Sequence, residues 1–264
     1  MSAPDRPDWP PGDPSPTTVT SPLLTAAGLR HLFSTRHFPE ISSPTREQGP
    51  FGPEAQGAIR AHGLDPGRIA FARQVHGASV LVARAGGRLG AADVVVTDRP
   101  GLPVAVLTAD CLPIVILDPG GAGAPARVAV VHAGWRGTAQ AVARAAVEAL
   151  IRAGGDAQSF LAAIGPSIGP CCYEVDWPVI QRLDAGFPGL WPAWVKPGGP
   201  GHWMLDLWRA NRDQLVAAGV RAGQIENLGL CTSCRLDLFF SYRRGASGRL
   251  VTLAGLPLRA GPSC

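Results

Sequence analysis

A chain of 264 residues and 27.5 kDa can bury a full apolar core in one large domain or two small ones, so its folding requires no disulfide scaffold. Its net charge of +4 comes from 24 basic and 20 acidic residues, with Lys196 the sole lysine and no dense basic run, which argues against a nucleic-acid partner. Hydrophobic residues make up 46% but fall in stretches such as 112–117, far short of the roughly 18–20 residues that span a bilayer, so no membrane partner is expected.

Residues 1–22 hold seven prolines among Ser, Thr, Asp and Gly, a composition that predicts a disordered tail. That opening lacks the basic and then apolar pattern of an export signal, and a cytoplasmic protein is expected. In a reducing compartment the six cysteines serve as thiols, ligands or nucleophiles. No linker or fixed-period repeat divides residues 23–258, which predicts one catalytic domain there and a short tail over 259–264. Apolar runs predict strands at 32–36, 69–75, 80–83, 94–97, 104–108, 114–117 and 128–132. Thr138 is expected to cap a helix over 139–152 that stops at Gly154-Gly155. A strand at 160–164 follows, then helices at 177–185 and 205–218. Strands at 225–231, 239–243 and 250–254 close the chain, and the order predicts a mixed α/β domain.

Three segments set a metal-ligating side chain at the end of an apolar run: Gln74-Val75-His76-Gly77, Thr108-Ala109-Asp110-Cys111-Leu112-Pro113 and Val131-His132-Ala133-Gly134-Trp135-Arg136-Gly137. His76, Cys111 and His132 would bind zinc through nitrogen and thiolate and leave the fourth tetrahedral position for water, whose acidification supplies hydroxide at neutral pH. Their separations match no short metal motif, and a core thiol with two surface histidines is the competing reading. Gly134 and Gly137 allow a sharp turn into a helix whose N-terminus, beside Arg136, suits a phosphate or carboxylate; an ordinary strand-to-helix turn with Trp135 in the core fits equally. Glu174 follows Cys171-Cys172-Tyr173 and is either a general acid or base or a solvated carboxylate. Cys231-Thr232-Ser233-Cys234 follows a late strand instead of opening a helix, which argues against redox chemistry. A structural zinc there would need Cys171 and Cys172 as its other ligands.

Together with Ala92-Asp93 through Thr97, Gly165-Pro166-Ser167-Ile168-Gly169, Cys171-Cys172-Tyr173-Glu174-Val175 and Phe239-Phe240-Ser241-Tyr242-Arg243-Arg244, these motifs make the chain resemble the YfiH-like laccase-domain family over about residues 30–256. Members of that family are variously called polyphenol oxidases, purine nucleoside phosphorylases and peptidoglycan editing factors. The resemblance implies a single-domain mixed-sheet α/β sandwich of the type shared with bacterial toxin deamidases. It implies one zinc ion on His76, Cys111 and His132. The implied activities are phosphorolysis of adenosine, inosine, guanosine and 5′-methylthioadenosine, and hydrolytic deamination of adenosine. For deamination, Asp110 or Glu174 is the candidate to carry the proton to the leaving ammonia; for phosphorolysis, Arg36, Arg136 and Arg243 are the candidate phosphate holders. The expected partners are therefore purine nucleosides and phosphate, with the chain a monomer or homodimer. After Phe33-Ser34-Thr35-Arg36 the sequence departs from the family's Gly-Gly-x-Ser stretch, with His37-Phe38-Pro39 and later Gly57-Ala58 in its place. That changes one pocket wall and leaves the metal set intact.

A multicopper oxidase needs about ten histidines, usually as paired H-x-H motifs. This chain has six histidines and no H-x-H, which argues against copper oxidation. Two other functions compete with the nucleoside enzyme. One is a Cys/His or zinc amidase that edits mis-built peptidoglycan precursors, in the first form with Cys111 as nucleophile and His132 as base. The other is a binding module that zinc merely stabilises.

Overall fold

Apolar residues occupy both faces of the central strands, and such strands need cover on two sides. The computed structural model describes residues 16–39, 41, 51–121 and 124–258. In chain order the first half holds β1 (Thr18–Val19), α1 (Pro22–Ala26), β2 (Arg30–Ser34), α2 (Pro53–Ala61), β3 (Ala70–Arg73), β4 (Val80–Val82), β5 (Gly87–Ala91), β6 (Val94–Thr97) and β7 (Val104–Thr108). Next come β8 (Leu112–Asp118), β9 (Arg127–Ala133), α3 (Trp135–Ala139), α4 (Val142–Arg152), β10 (Leu161–Ile164), β11 (Glu174–Asp176) and α5 (Trp177–Gly186). The chain ends with β12 (Val195–Pro197), β13 (His202–Leu205), α6 (Leu207–Ala217), β14 (Ile225–Asn227) and β15 (Leu250–Gly255).

One mixed sheet has the order β1-β2-β15-β7-β3-β5, and a second has β14-β10-β8-β9-β6-β4. A small antiparallel sheet, β11-β13-β12, stands apart from both. The period of two along each strand decides the layering. In β9, Val128 and Val130 join Phe33, Val104 and Val106 in the core between the sheets, whereas Ala129 and Val131 join Val142, Ala146 and Leu150 of α4. β8 divides in the same way, with Val115 and Leu117 inward and Ile114 and Ile116 toward the helices. On the far side of the first sheet, Ile59 of α2 packs with Leu32, Val251 and Leu253. The result is one mixed α/β domain, two sheets face to face with helices on both outer surfaces.

The structure corrects four expectations. The N-terminal tail does not extend to residue 22, because Thr18 and Val19 pair with Ser34 and Phe33 and Ser21 caps α1; residues 1–15 and 259–264 lie outside the described residues. The helix expected at 139–152 is broken into α3 and α4 at Ala141, whose φ of 62° is left-handed. Thr138 caps neither piece: it is buried, its Oγ1 accepts from Asn211 and its carbonyl from Gln214. The helix expected at 205–218 starts two residues later, since Leu205 belongs to β13 and Asp206 caps α6 through the Arg209 amide. Residues 239–243 form no strand, because Ser241 and the Arg243 amide are drawn to the Asp110 carboxylate instead of to a neighbouring strand.

At one end of the β8–β9 pair, Arg127 and Asp118 form a buried ion pair at 2.8 Å. Replacing Asp118 by Ala leaves the guanidinium buried without its counter-charge. The expected loss in folding free energy is about 3–5 kcal/mol, read from urea denaturation midpoints; a loss below about 1 kcal/mol would show that solvent replaces the carboxylate.

Candidate functional site

The opposite end of that strand pair carries the candidate site. Antiparallel pairing sets Leu112 against Ala133 and Pro113 against His132, so Cys111, just before β8, arrives beside the end of β9. Asp93, just before β6, lies at the same end, since Val94 pairs with Val131. His76 follows β3 of the other sheet. The chain thereby brings His76, Cys111 and His132 together, with their ligand atoms all within 4.8 Å of one another. The two imidazoles stand edge to face, with ring centroids 4.7 Å apart.

Asp93 holds this arrangement. Its carboxylate is fully buried and accepts from His132 Nδ1 at 2.8 Å, from the His76 amide at 2.9 Å and from the Gly77 amide at 2.7 Å. His76 has a φ of 59°, a conformation that costs free energy in a non-glycine residue, and these amide bonds offset that cost. With Nδ1 engaged by the carboxylate, His132 could offer Nε2 to a metal, the orientation that an outer carboxylate imposes on metal-binding histidines. Gly134 keeps the centre open: a Cβ there would stand 2.9 Å from Cys111 Sγ and 3.2 Å from His76 Cδ2.

The protonation states follow from the same contacts. Burial opposes ionisation of the Cys111 thiol, but hydrogen bonds and charge from His132 and His76 bring it down to about 6. Burial likewise disfavours a charged His132, and Asp93 and Cys111 overcome it, raising the imidazole to about 9. Burial also opposes the Asp93 charge, yet His132 and the Gly77 and His76 amides hold this carboxyl below its ordinary range.

Asp110 adjoins Cys111 with a φ of 81°, and both its oxygens are committed. Thr232 Oγ1 donates to one at 2.6 Å, while Ser241 Oγ and the Arg243 amide donate to the other at 3.0 and 2.7 Å. It positions Cys111 by tying the segment around 232–243 to the same strand end. Glu174 is exposed, and its backbone carbonyl accepts from Arg243 Nη1.

A cavity of about 610 Å³ is bounded by His76, Cys111 and His132, by Arg73, Arg88, Arg136 and Arg249, and by Phe51, Phe71 and Tyr242. Thr108 also lines it, and its buried Oγ1 has no partner among the described residues. No carboxylate side chain lines the cavity among the described residues. Of the three arginines expected at the phosphate, only Arg136 lines the cavity, stacked on Trp135. Arg36 donates to the Leu236 carbonyl and lies over Phe240, and Arg243 lies over Tyr173. The sequence reading missed Asp93, Arg73, Arg88 and Arg249 as site residues. Asp93 was visible as an acid directly ahead of an apolar strand, and Arg73 as a neighbour of the Gln74-Val75-His76 motif; Arg88 and Arg249 enter only through the order of strands in the first sheet.

Replacing Asp93 by Asn removes the charge that His132 Nδ1 and the Val75, His76 and Gly77 amides share. The expected loss is about 3 kcal/mol at pH 7. Because the folded carboxyl is held below its unfolded value near about 3.9, its stabilisation is full above that value and is lost as pH falls through the folded one. The difference between wild type and variant in urea denaturation therefore narrows as pH falls below about 4; an unchanged difference would contradict the assignment.

Residues 54–257 match the family model described as multi-copper polyphenol oxidoreductase laccase. Purine nucleoside phosphorylase YlmD of Geobacillus stearothermophilus is 39% identical over 199 residues, covering 74% of this chain and 70% of that protein. Adenosine deaminase RL5, from an unknown prokaryotic organism, is 38% identical over 202 residues, covering 72% and 76%. The crystal structure of hypothetical protein YfiH of Bacillus licheniformis superposes with a TM-score of 0.76 at 32% identity, covering 87% of this chain and 93% of that one. On sequence and on fold alike, the chain belongs to the laccase-like family of YfiH and YlmD.

Proposed function

We propose that this protein is a zinc-dependent purine nucleoside enzyme. In this reading it phosphorolyses adenosine, inosine, guanosine and 5′-methylthioadenosine to the free base and ribose or methylthioribose 1-phosphate, and it deaminates adenosine to inosine. The observation that carries the reading is the His76–Cys111–His132 cluster facing an arginine-lined cavity that no carboxylate side chain lines among the described residues. The names of the relatives, a purine nucleoside phosphorylase and an adenosine deaminase, support the same substrate class.

Two imidazoles and one thiolate suit zinc. The cluster holds two histidines, too few for a blue and a trinuclear copper centre. When bound by these residues, zinc supplies Lewis acidity and lowers the pKa of water to about 7. The chain's own residues supply the rest. Arg73, Arg88, Arg136 and Arg249 would hold phosphate against C1′, where positive charge grows as the bond to the base breaks. Thr108 Oγ1 is free to bond a ribose hydroxyl or a phosphate oxygen, and Phe51, Phe71 and Tyr242 offer faces for a purine ring. Asp110, occupied by three donors, is assigned to positioning Cys111, and Glu174, the other candidate acid, is exposed and lies outside the cavity lining, so neither carboxylate is placed to deliver the proton.

One observation favours a second reading. Cys111, His132 and Asp93 are linked in the order nucleophile, base and orienting carboxylate, the arrangement of a cysteine amidase, here acting on peptidoglycan precursors. Zinc and a free nucleophile compete for the same thiolate, so a chelator separates the two.

Zinc-loaded protein given adenosine is expected to release adenine only when phosphate is present and inosine with or without it, both resolved by chromatography with mass detection. Chelation, or Cys111→Ala in a chain shown by circular dichroism to be folded, is expected to lower both rates by more than about 100-fold. Neither product from folded, metal-loaded wild type would remove the nucleoside assignment, and amide cleavage that survives chelation would transfer it to the amidase.

A further inference from the structure

Four cysteines play no part in that site. Cys171 and Cys172 lie in the turn after Gly165-Pro166-Ser167, and Cys231 and Cys234 lie in the segment after β14. Their four sulfurs all lie within 4.8 Å of one another. Cys234 Sγ is 3.4 Å from the sulfurs of both Cys171 and Cys172, much longer than the roughly 2.05 Å of a disulfide. Four sulfurs placed tetrahedrally at about 2.3 Å from one zinc ion stand about 3.8 Å apart. We propose that Cys171, Cys172, Cys231 and Cys234 form a second, structural metal site that takes one zinc ion on four thiolates.

Three further observations support a built site. The Gly169 amide donates to Cys231 Sγ at 3.2 Å, the kind of amide contact that orients a metal-bound sulfur. That approach needs glycine, because a Cβ at 169 would stand 3.2 Å from Cys231 Cβ and 2.8 Å from the Trp208 ring. The second observation is electrostatic. Four thiolates around a divalent ion leave a net charge of about −2, and Arg244 stands by to offset it, bonded at 2.9 Å to Ser233 Oγ inside the C-x-x-C turn. The third is architectural. Between β14 and the short turn at Tyr242–Arg244 the chain has neither helix nor strand, and a connection of that length inside a domain needs other ties. Two are visible where it meets the first loop: the Ser167 amide donates to the Leu230 carbonyl, and the Thr232 amide to the Ser167 carbonyl. A zinc ion would add the covalent tie between the same two loops.

The site bears on the cavity through one residue. Thr232, between Cys231 and Cys234, donates to Asp110, the neighbour of Cys111. A metal fixing the C-x-x-C turn would hold this donor in place, so the four-cysteine centre braces the strand end that carries the thiolate ligand.

The test uses the full chain carrying Cys111→Ala, which disables the His-Cys-His set and leaves the four cysteines intact. Purified under reductant, it is expected to retain about one zinc per chain by elemental analysis. Exchange with cobalt is expected to give thiolate-to-metal charge transfer and the intense visible bands of a four-sulfur tetrahedral site. Adding Cys234→Ser should remove that signature. Metal-free Cys111→Ala whose thiols react freely or pair as disulfides under reductant would overturn the proposal. So would a four-sulfur spectrum that persists after Cys234→Ser. If the double variant does not fold, the cobalt spectrum of Cys111→Ala decides alone: present, it supports the centre, and absent, it refutes it. None of these readouts depends on nucleoside turnover.

Discussion

The Asp93 carboxylate is the contact on which the candidate site depends. It is sealed from water, and a buried charge persists only where it is fully compensated. Here the compensation comes from the imidazole of His132 and the backbone of His76 and Gly77. One anion thereby fixes a ligand from each sheet. It also supports the left-handed backbone at His76 and raises the pKa of His132. Asp110 repeats the device one strand away, gathering two hydroxyls and an amide from the C-terminal segment. Two buried carboxylates, neither of which lines the cavity, thus set the geometry of three side chains that do.

Much of this was legible in the sequence because strand ends were legible. β6, β7, β8 and β9 are runs of branched apolar residues, and their ends put Cys111 and His132 where a sheet presents side chains. The remainder depended on information that local patterning does not carry. Ala141 is a good helix former in a helical run, yet the helix breaks there, because α6 claims the side chain and carbonyl of Thr138 through Asn211 and Gln214. Phe239-Phe240-Ser241-Tyr242-Arg243 has strand composition, but its polar groups are drawn to Asp110. Arg88 and Arg249 reach the cavity because β5 and β15 belong to one sheet, an adjacency fixed by long-range pairing.

The arginines alter how the cavity should be regarded. Their positive charge lines the same cavity as the His76–Cys111–His132 trio, together with Phe51 and Phe71. An anion entering there meets fixed charge in a low-dielectric setting, where it counts for more than in bulk water. Phe51 lies within the segment over 37–58 that departs from the family pattern, and it packs with Phe38 and Ile59 while lining the cavity. Phe51 thus ties that segment to the cavity wall.

The placement of the ligands also bears on the order in which the molecule matures. His76, Cys111 and His132 come from three separate strand ends in two sheets. Contacts so distant in the chain form only after the intervening loops have closed. The His-Cys-His set is therefore absent from an emerging or partly folded chain and exists only when both sheets have docked. Any metal that the set takes is therefore bound by the finished protein. The neighbouring thiols Cys171-Cys172 and the C-x-x-C turn are local in sequence and need no completed sheet to offer two sulfurs each. The complete four-cysteine cluster, however, joins loops as distant as Cys171 and Cys234, 63 residues apart, so it too is assembled only when those loops meet.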